Sequence, residues 1–327
     1  MSVRSFDWRD LPALYRLRKE SVFLHNALVL TRGPMLLSGA VFSSLMPGGG
    51  LYTAICDGND GTGDLVIGQI IHMSGSQVAQ LTFLAPEPDP AATNLSGLLE
   101  FFASQVVVRG AFRLLADVDE HSFVFESLRQ AGFAIYARQR VWQLNQHGAG
   151  QVQAPGWDTA VDRDLISVRS LYNNLVPGLV QQVEPFPAER LHGLVYRHGE
   201  DVLAYVELKY GHRGIWAQPF VHPDAEEAID RLVDLLQEMS YRRSRPIYLC
   251  IRSYESWLEP AVEALGAQPG PRQAVMVRHL AVPQKALRPY ALPALEGGSP
   301  EMTAPIARVQ NVIVEKTGSY VTKADNR

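Results

Sequence analysis

Two groups of ionisable residues stand where chemistry is possible. Glu87 follows the run Leu81-Thr82-Phe83-Leu84-Ala85, while Asp117, Asp119, Glu120 and His121 follow Leu114-Leu115-Ala116. A carboxylate at the end of a strand can take a proton from an ammonium-derived nucleophile, directly or through a water, which makes Glu87, Asp117 and Asp119 candidate bases. The commoner role for such a residue as Asp119 is to cap a helix, here one starting near Ser122, because a short acceptor there satisfies the first free N–H groups. His192, His198, His212 and His222 match no ligand spacing and have no cysteine beside them, so no metal site is expected. Cys56 and Cys250, far apart in the chain, read as buried reduced thiols. Tyr241-Arg242-Arg243-Ser244-Arg245 places cations at the negative end of a helix. Met46-Pro47-Gly48-Gly49-Gly50 lacks the Lys-Ser/Thr of a phosphate loop.

The elements that must hold these residues occur twice. Leu95, Leu98, Leu99 and Phe102 form the i, i+3, i+4, i+7 stripe of an amphipathic helix, and Ile229, Leu232, Val233 and Leu236 repeat it at a shift of 134. At the same shift, Leu114-Leu115-Ala116 matches the strand-like Tyr248-Leu249-Cys250, and Ser122-Phe123-Val124 matches Ser256-Trp257-Leu258. Gly132 and Gly266 sit where a helix ends in a left-handed residue. Arg138-Gln139 and Arg272-Gln273 lead into the final strands. Upstream, Arg9-Asp10-Leu11 and Arg163-Asp164-Leu165 each open a first helix. Hairpins are expected over Leu51 to Met73 and Gly193 to Tyr210, whose centres carry Gly, Asp and Asn. Each copy thus reads as strand, one or two helices, three strands, helix, strand, helix, strand.

This order resembles the GNAT (N-acetyltransferase) superfamily, in which paired units within one chain occur, as in mycothiol synthases. The likeness rests on Leu81 to Glu87 as the fourth strand and its exit, and on the helix from Leu95 as the acyl-CoA helix. It rests also on Ser127-Leu128-Arg129-Gln130-Ala131-Gly132-Phe133 as the closing helix-Gly-Phe signature. Phe220-Val221-His222-Pro223-Asp224 and Val262-Glu263-Ala264-Leu265-Gly266 take those places in the second copy. The resemblance implies an α/β (α+β) fold of two tandem domains, each a mixed, mostly antiparallel sheet flanked by helices. Expected boundaries are 1–144, a linker at 145–156, 157–282, and a Pro/Gly-rich, disordered tail at 283–327. It further implies acetyl-CoA or another acyl-CoA as co-substrate, its pyrophosphate at the helix N-terminus formed by Thr93, Asn94, Leu95, Ser96 and Gly97. The family's Arg/Gln-x-x-Gly-x-Gly/Ala turn is absent there, and the commoner role for Thr93 or Asn94 is an ordinary N-cap. In the second copy Glu226 and Glu227 occupy the first turn and repel a phosphate. Leu128 and Val262, which cannot donate a proton, stand where many members carry a tyrosine that acts as general acid toward the leaving thiolate.

With 46% hydrophobic and 20% charged residues, the chain has the composition of a folded protein. A net charge of −4 disfavours a nucleic-acid binder. No run of about 18 apolar residues reaches membrane-spanning length, and the opening residues carry no apolar leader, so a cytoplasmic location is expected. The functional expectation is an acyl-CoA-dependent N-acyltransferase acting on a small amine, with its site in the first copy, where the acidic cluster lies. The alternative is a catalytically silent tandem module that binds a ligand or assembles with partners.

Overall fold

The computed structural model describes residues 2–46, 49–57, 65–88, 94–145, 156–186, 190–199, 201–242 and 245–280. Most of the expected linker and all of the expected tail lie outside these residues. The first half runs β1 (Ser2–Ser5), α1 (Leu11–Leu17), β2 (Val22–Phe23), α2 (Asn26–Arg32), α3 (Leu36–Leu45), β3 (Leu51–Asp57), β4 (Val66–His72), β5 (Val78–Ala85), α4 (Asn94–Val107), β6 (Arg113–Asp119), α5 (Phe123–Gln130) and β7 (Ala134–Leu144). The second half runs β8 (Trp157–Thr159), α6 (Leu165–Leu175), α7 (Gly178–Val183), β9 (Gly193–His198), β10 (Asp201–Tyr210), β11 (Ile215–Val221), α8 (Glu226–Arg242), β12 (Ile247–Arg252), α9 (Glu259–Ala264) and β13 (Gln268–His279).

Local sequence explains most of this. Leu95, Leu98, Leu99 and Phe102 are all buried on α4, and Leu232 and Leu236 are buried on α8. Each such side chain contributes about 1.5–3 kcal/mol relative to an exposed position. In α8 it is Leu235 that turns inward, while Val233 is only half-buried. Gly132 (φ 87°) and Gly266 (φ 78°) both adopt the left-handed conformation just past α5 and α9. The carboxylates of Asp10 and Asp164 accept the backbone N–H of Asp7 (2.9 Å) and Val161 (3.0 Å), so the repeated Arg-Asp-Leu does open a helix in each half. Arg4 and Arg197 each pair with that aspartate at 2.7 Å.

The strands form one sheet in the order β1-β3-β4-β5-β6-β13-β7-β12-β11-β10-β9-β8, with β2 attached to β5. The order is a palindrome under exchange of the two halves. Each half's last strand, however, lies in the other half's sheet: β13 pairs with β6, and β7 pairs with β12. The two exchanged strands are antiparallel, with Gln139 facing Gln273 at the local two-fold axis. The pairs β5/β6 and β11/β12 are parallel, and the remaining pairs are antiparallel. Register also revises the repeat. Ile247 faces Leu144 whereas Leu114 faces Arg278, so β6 and β12 are related by 133 and not by 134. Asp117 therefore corresponds to Cys250, and Asp119 to Arg252.

Helices cover both faces. α4 and α5 close one core and α1 and α3 another in the first half, while α8 and α9 oppose α6 and α7 in the second. α2 reaches across to the second half, where Ala27 and Leu30 pack on Trp216, Val141 and Cys250. The end of α2 is pinned by Arg213, whose N–H donates to the Thr31 carbonyl at 2.9 Å. A side chain at Gly211 would collide with that same carbonyl.

Candidate functional site

Where two parallel strands diverge, each leaves backbone donors and acceptors without a partner, and an extended chain can bind there. In the first half β5 and β6 pair through Val78/Arg113, Ala79/Leu114 and Gln80/Leu115 and then separate. The opening is filled by the protein itself. Val22 and Phe23 pair with Leu84 and Phe83 as β2, and the Leu24 N–H donates to the Thr82 carbonyl at 2.9 Å. On the other side the Asp117 N–H donates to the Leu24 carbonyl at 2.9 Å, which also accepts Gln80 Nε2 at 3.1 Å. Glu87 N–H donates to the Glu20 carbonyl at 2.7 Å. Leu24 is fully buried among the α4 core residues.

The second opening, beyond Ala217/Leu249, is closed differently. The Val221 N–H donates to Glu255 Oε1 at 3.2 Å from the turn that follows β12. Glu255 is fully buried, and burial pushes its carboxyl up to about 8. These openings adjoin the N-termini of α4 and α8, where an acyl-CoA would place its pyrophosphate. The described residues at these openings do not fit that cofactor. In the first opening the backbone groups that its amide-bearing arm would meet are already bonded to residues 20–24, and in the second the Val221 N–H is bonded to Glu255. Leu95 is buried at the start of α4, and Glu227 adds negative charge in the first turn of α8.

Between the halves, on the face covered by α2, α6 and α7, lies a cavity of about 520 Å³. Alternation along the strands puts Gln80, Asp117, Gln139, Gln218, Lys209 and Arg252 on this face. Arg252 is 5% exposed, and its Nη2 donates to both Glu184 oxygens at 2.9 and 3.0 Å. Tyr136 also hydrogen-bonds Glu184, and Tyr172 donates to the Glu184 carbonyl at 2.5 Å. The cavity's aromatic side is a packed set in which the rings of Phe186 and Phe220 lie 5.2 and 5.5 Å from Tyr172. Asp117 accepts the Asn26 N–H at 3.0 Å, and burial raises its carboxyl to about 6. Burial lowers His25 to about 4, which keeps it neutral.

Of the three candidate bases, Asp117 alone lines this cavity. Glu87 is exposed beyond β5. Asp119 accepts the His121 N–H at 2.9 Å within its own turn, and Glu120 pairs with Arg138 at 2.6 Å. Ser96 is exposed and Gly97 half-buried on α4, while Thr93 and the Asn94 side chain lie outside the described residues. Sequence reading passed over Arg252, Glu184 and Glu255. A signal existed for one of them, since Arg252 is the single charge closing the apolar run Ile247 to Ile251. Among the described residues, no group of three or more His, Cys, Asp or Glu is placed to hold a metal ion, and no single helix is long and apolar enough to cross a membrane.

No family model and no curated protein matches this sequence. Solved structures do match. A GCN5-related N-acetyltransferase from Sphaerobacter thermophilus is 13% identical, with a TM-score of 0.52 over 85% of this chain and 95% of that one. A tandem GNAT protein from the clavulanic acid biosynthesis pathway is 14% identical, with a TM-score of 0.46 over 86% of this chain and 99% of that one. At such identities the likeness concerns the fold. The chain has the fold of the GCN5-related N-acetyltransferases.

Proposed function

We propose that this protein binds a small polar ligand in its central cavity and holds acyl-CoA in neither opening between its strands. One observation carries the exclusion of acyl-CoA from the first opening: residues 22–24 are bonded as a strand to β5 and, through the Leu24 carbonyl, to β6. A cofactor arm lying there must first withdraw a fully buried leucine from the core, and truncating such a residue costs about 2–5 kcal/mol. The test is thermal unfolding of the full chain with acetyl-CoA and with longer acyl-CoAs. Unchanged melting at millimolar cofactor is expected. A one-site ligand at 100 times its Kd would add about 2.7 kcal/mol, and stabilisation of that size would overturn the proposal.

Acyl transfer to a small amine in the first half is the competing reading. Asp117 favours it, because a carboxyl raised to about 6 beside the cavity has the strength expected of a general base. Ser96→Asp and Glu227→Lys separate the two. If acyl-CoA binds and only Ser96→Asp weakens it, a first-half site at Thr93 to Gly97 is supported and the binding-module reading is abandoned.

A further inference from the structure

We propose that the central cavity takes a zwitterionic, amino-acid-like ligand, its carboxylate on Arg252 and its ammonium group on Asp117. The inference rests on the cavity being the functional site. Most charges in it are already paired. Glu184 holds one nitrogen of Arg252, and Lys209 lies 3.4 Å from Glu207. Two groups remain with unmet capacity. Nε and Nη1 of Arg252 are buried without a hydrogen-bond partner among the described residues. A guanidinium carries five N–H donors, and buried donors are nearly always answered. Asp117 has no ion-pair partner among the described residues, and its one described side-chain hydrogen bond comes from a neutral backbone N–H.

Arg252 lies near enough to Asp117 to offset part of the rise that burial gives its carboxyl, and both line the same cavity. A simple anion would answer Arg252 but face Asp117 and Glu184. A simple amine would answer Asp117 and leave the arginine donors unmet. A ligand that carries both groups on one carbon answers both. Phe186, Phe220 and Tyr172 supply an apolar wall for its side chain, and a volume of about 520 Å³ falls within the roughly 300–1,000 Å³ of small-ligand sites.

The experiment is a thermal-shift screen of the full chain against the twenty common L-amino acids. Isothermal titration of the tightest one follows, together with its decarboxylated amine and its N-acetyl derivative. Both truncated analogues are expected to bind at least tenfold more weakly. Asp117→Asn, which keeps the shape and the acceptor for Asn26, should cost the amino acid at least tenfold and leave the N-acetyl derivative unchanged. No binding by any amino acid, or equal binding by the truncated analogues, overturns the ligand assignment. Acetyl-CoA in the same assay tests the underlying reading separately, since its binding would sink the cavity-only function whatever the amino acids do.

Discussion

At the residue scale, the buried carboxyl of Glu255 gives the protein a pH dependence of known sign. Burial raises it from 4.5 to about 8, so the folded state holds this proton more tightly than the unfolded chain. The stability it contributes is complete below about 4.5 and is lost as pH rises through about 8. Glu255→Gln retains an oxygen for the Val221 N–H and removes the titration. Chemical denaturation from pH 5 to 8.5 should give a flatter profile for this variant. It should also be more stable than wild type at pH 8.5, by at least about 1 kcal/mol. An unaltered slope would place the titrating group elsewhere. Among the site residues, Asp117 was legible because an acid after an apolar run invites attention, although β6 continues through it to Asp119. Glu255 was not: nothing in Tyr254-Glu255-Ser256 distinguishes a solvated glutamate from one folded back onto a neighbouring strand.

At the scale of elements, long periodic segments were the legible ones. The α4 and α8 stripes, the two hairpins and the cap glycines follow from spacing and from glycine's access to positive φ. β2 escaped notice because two residues carry no period, and Ser21-Val22-Phe23-Leu24 reads as a short apolar link between helices. Its pairing is entirely tertiary. Leu24→Ala removes a fully buried side chain from the α4 core and should destabilise the protein by about 2–5 kcal/mol in urea unfolding. A cost below about 0.5 kcal/mol would mean that residues 20–26 are not held between β5 and β6, since surface substitutions are usually that mild.

At the scale of the whole molecule, two copies were readable but their exchange of strands was not. A shift of 134 relates β7 to β13 equally well whether each strand stays in its own half or crosses, because the apolar alternation is the same in both places. With β13 seated on β6 and β7 on β12, neither half keeps its sheet when the other unfolds. Calorimetry of the full chain should therefore show one cooperative transition for residues 1–282, with calorimetric and van't Hoff enthalpies in agreement. Two separated transitions would contradict the exchange.

The central claim is that the protein closes its own first opening, and amide hydrogen exchange at Leu24 and Asp117 tests it most directly. Both N–H groups donate across that opening, to Thr82 and to Leu24. They should exchange as slowly as the amides of β4 and β5, and millimolar acetyl-CoA should leave their rates unchanged. Rapid exchange at both, or loss of protection at Leu24 when acetyl-CoA is added, would show that the segment yields to a cofactor and would return the chain to the acyltransferase reading.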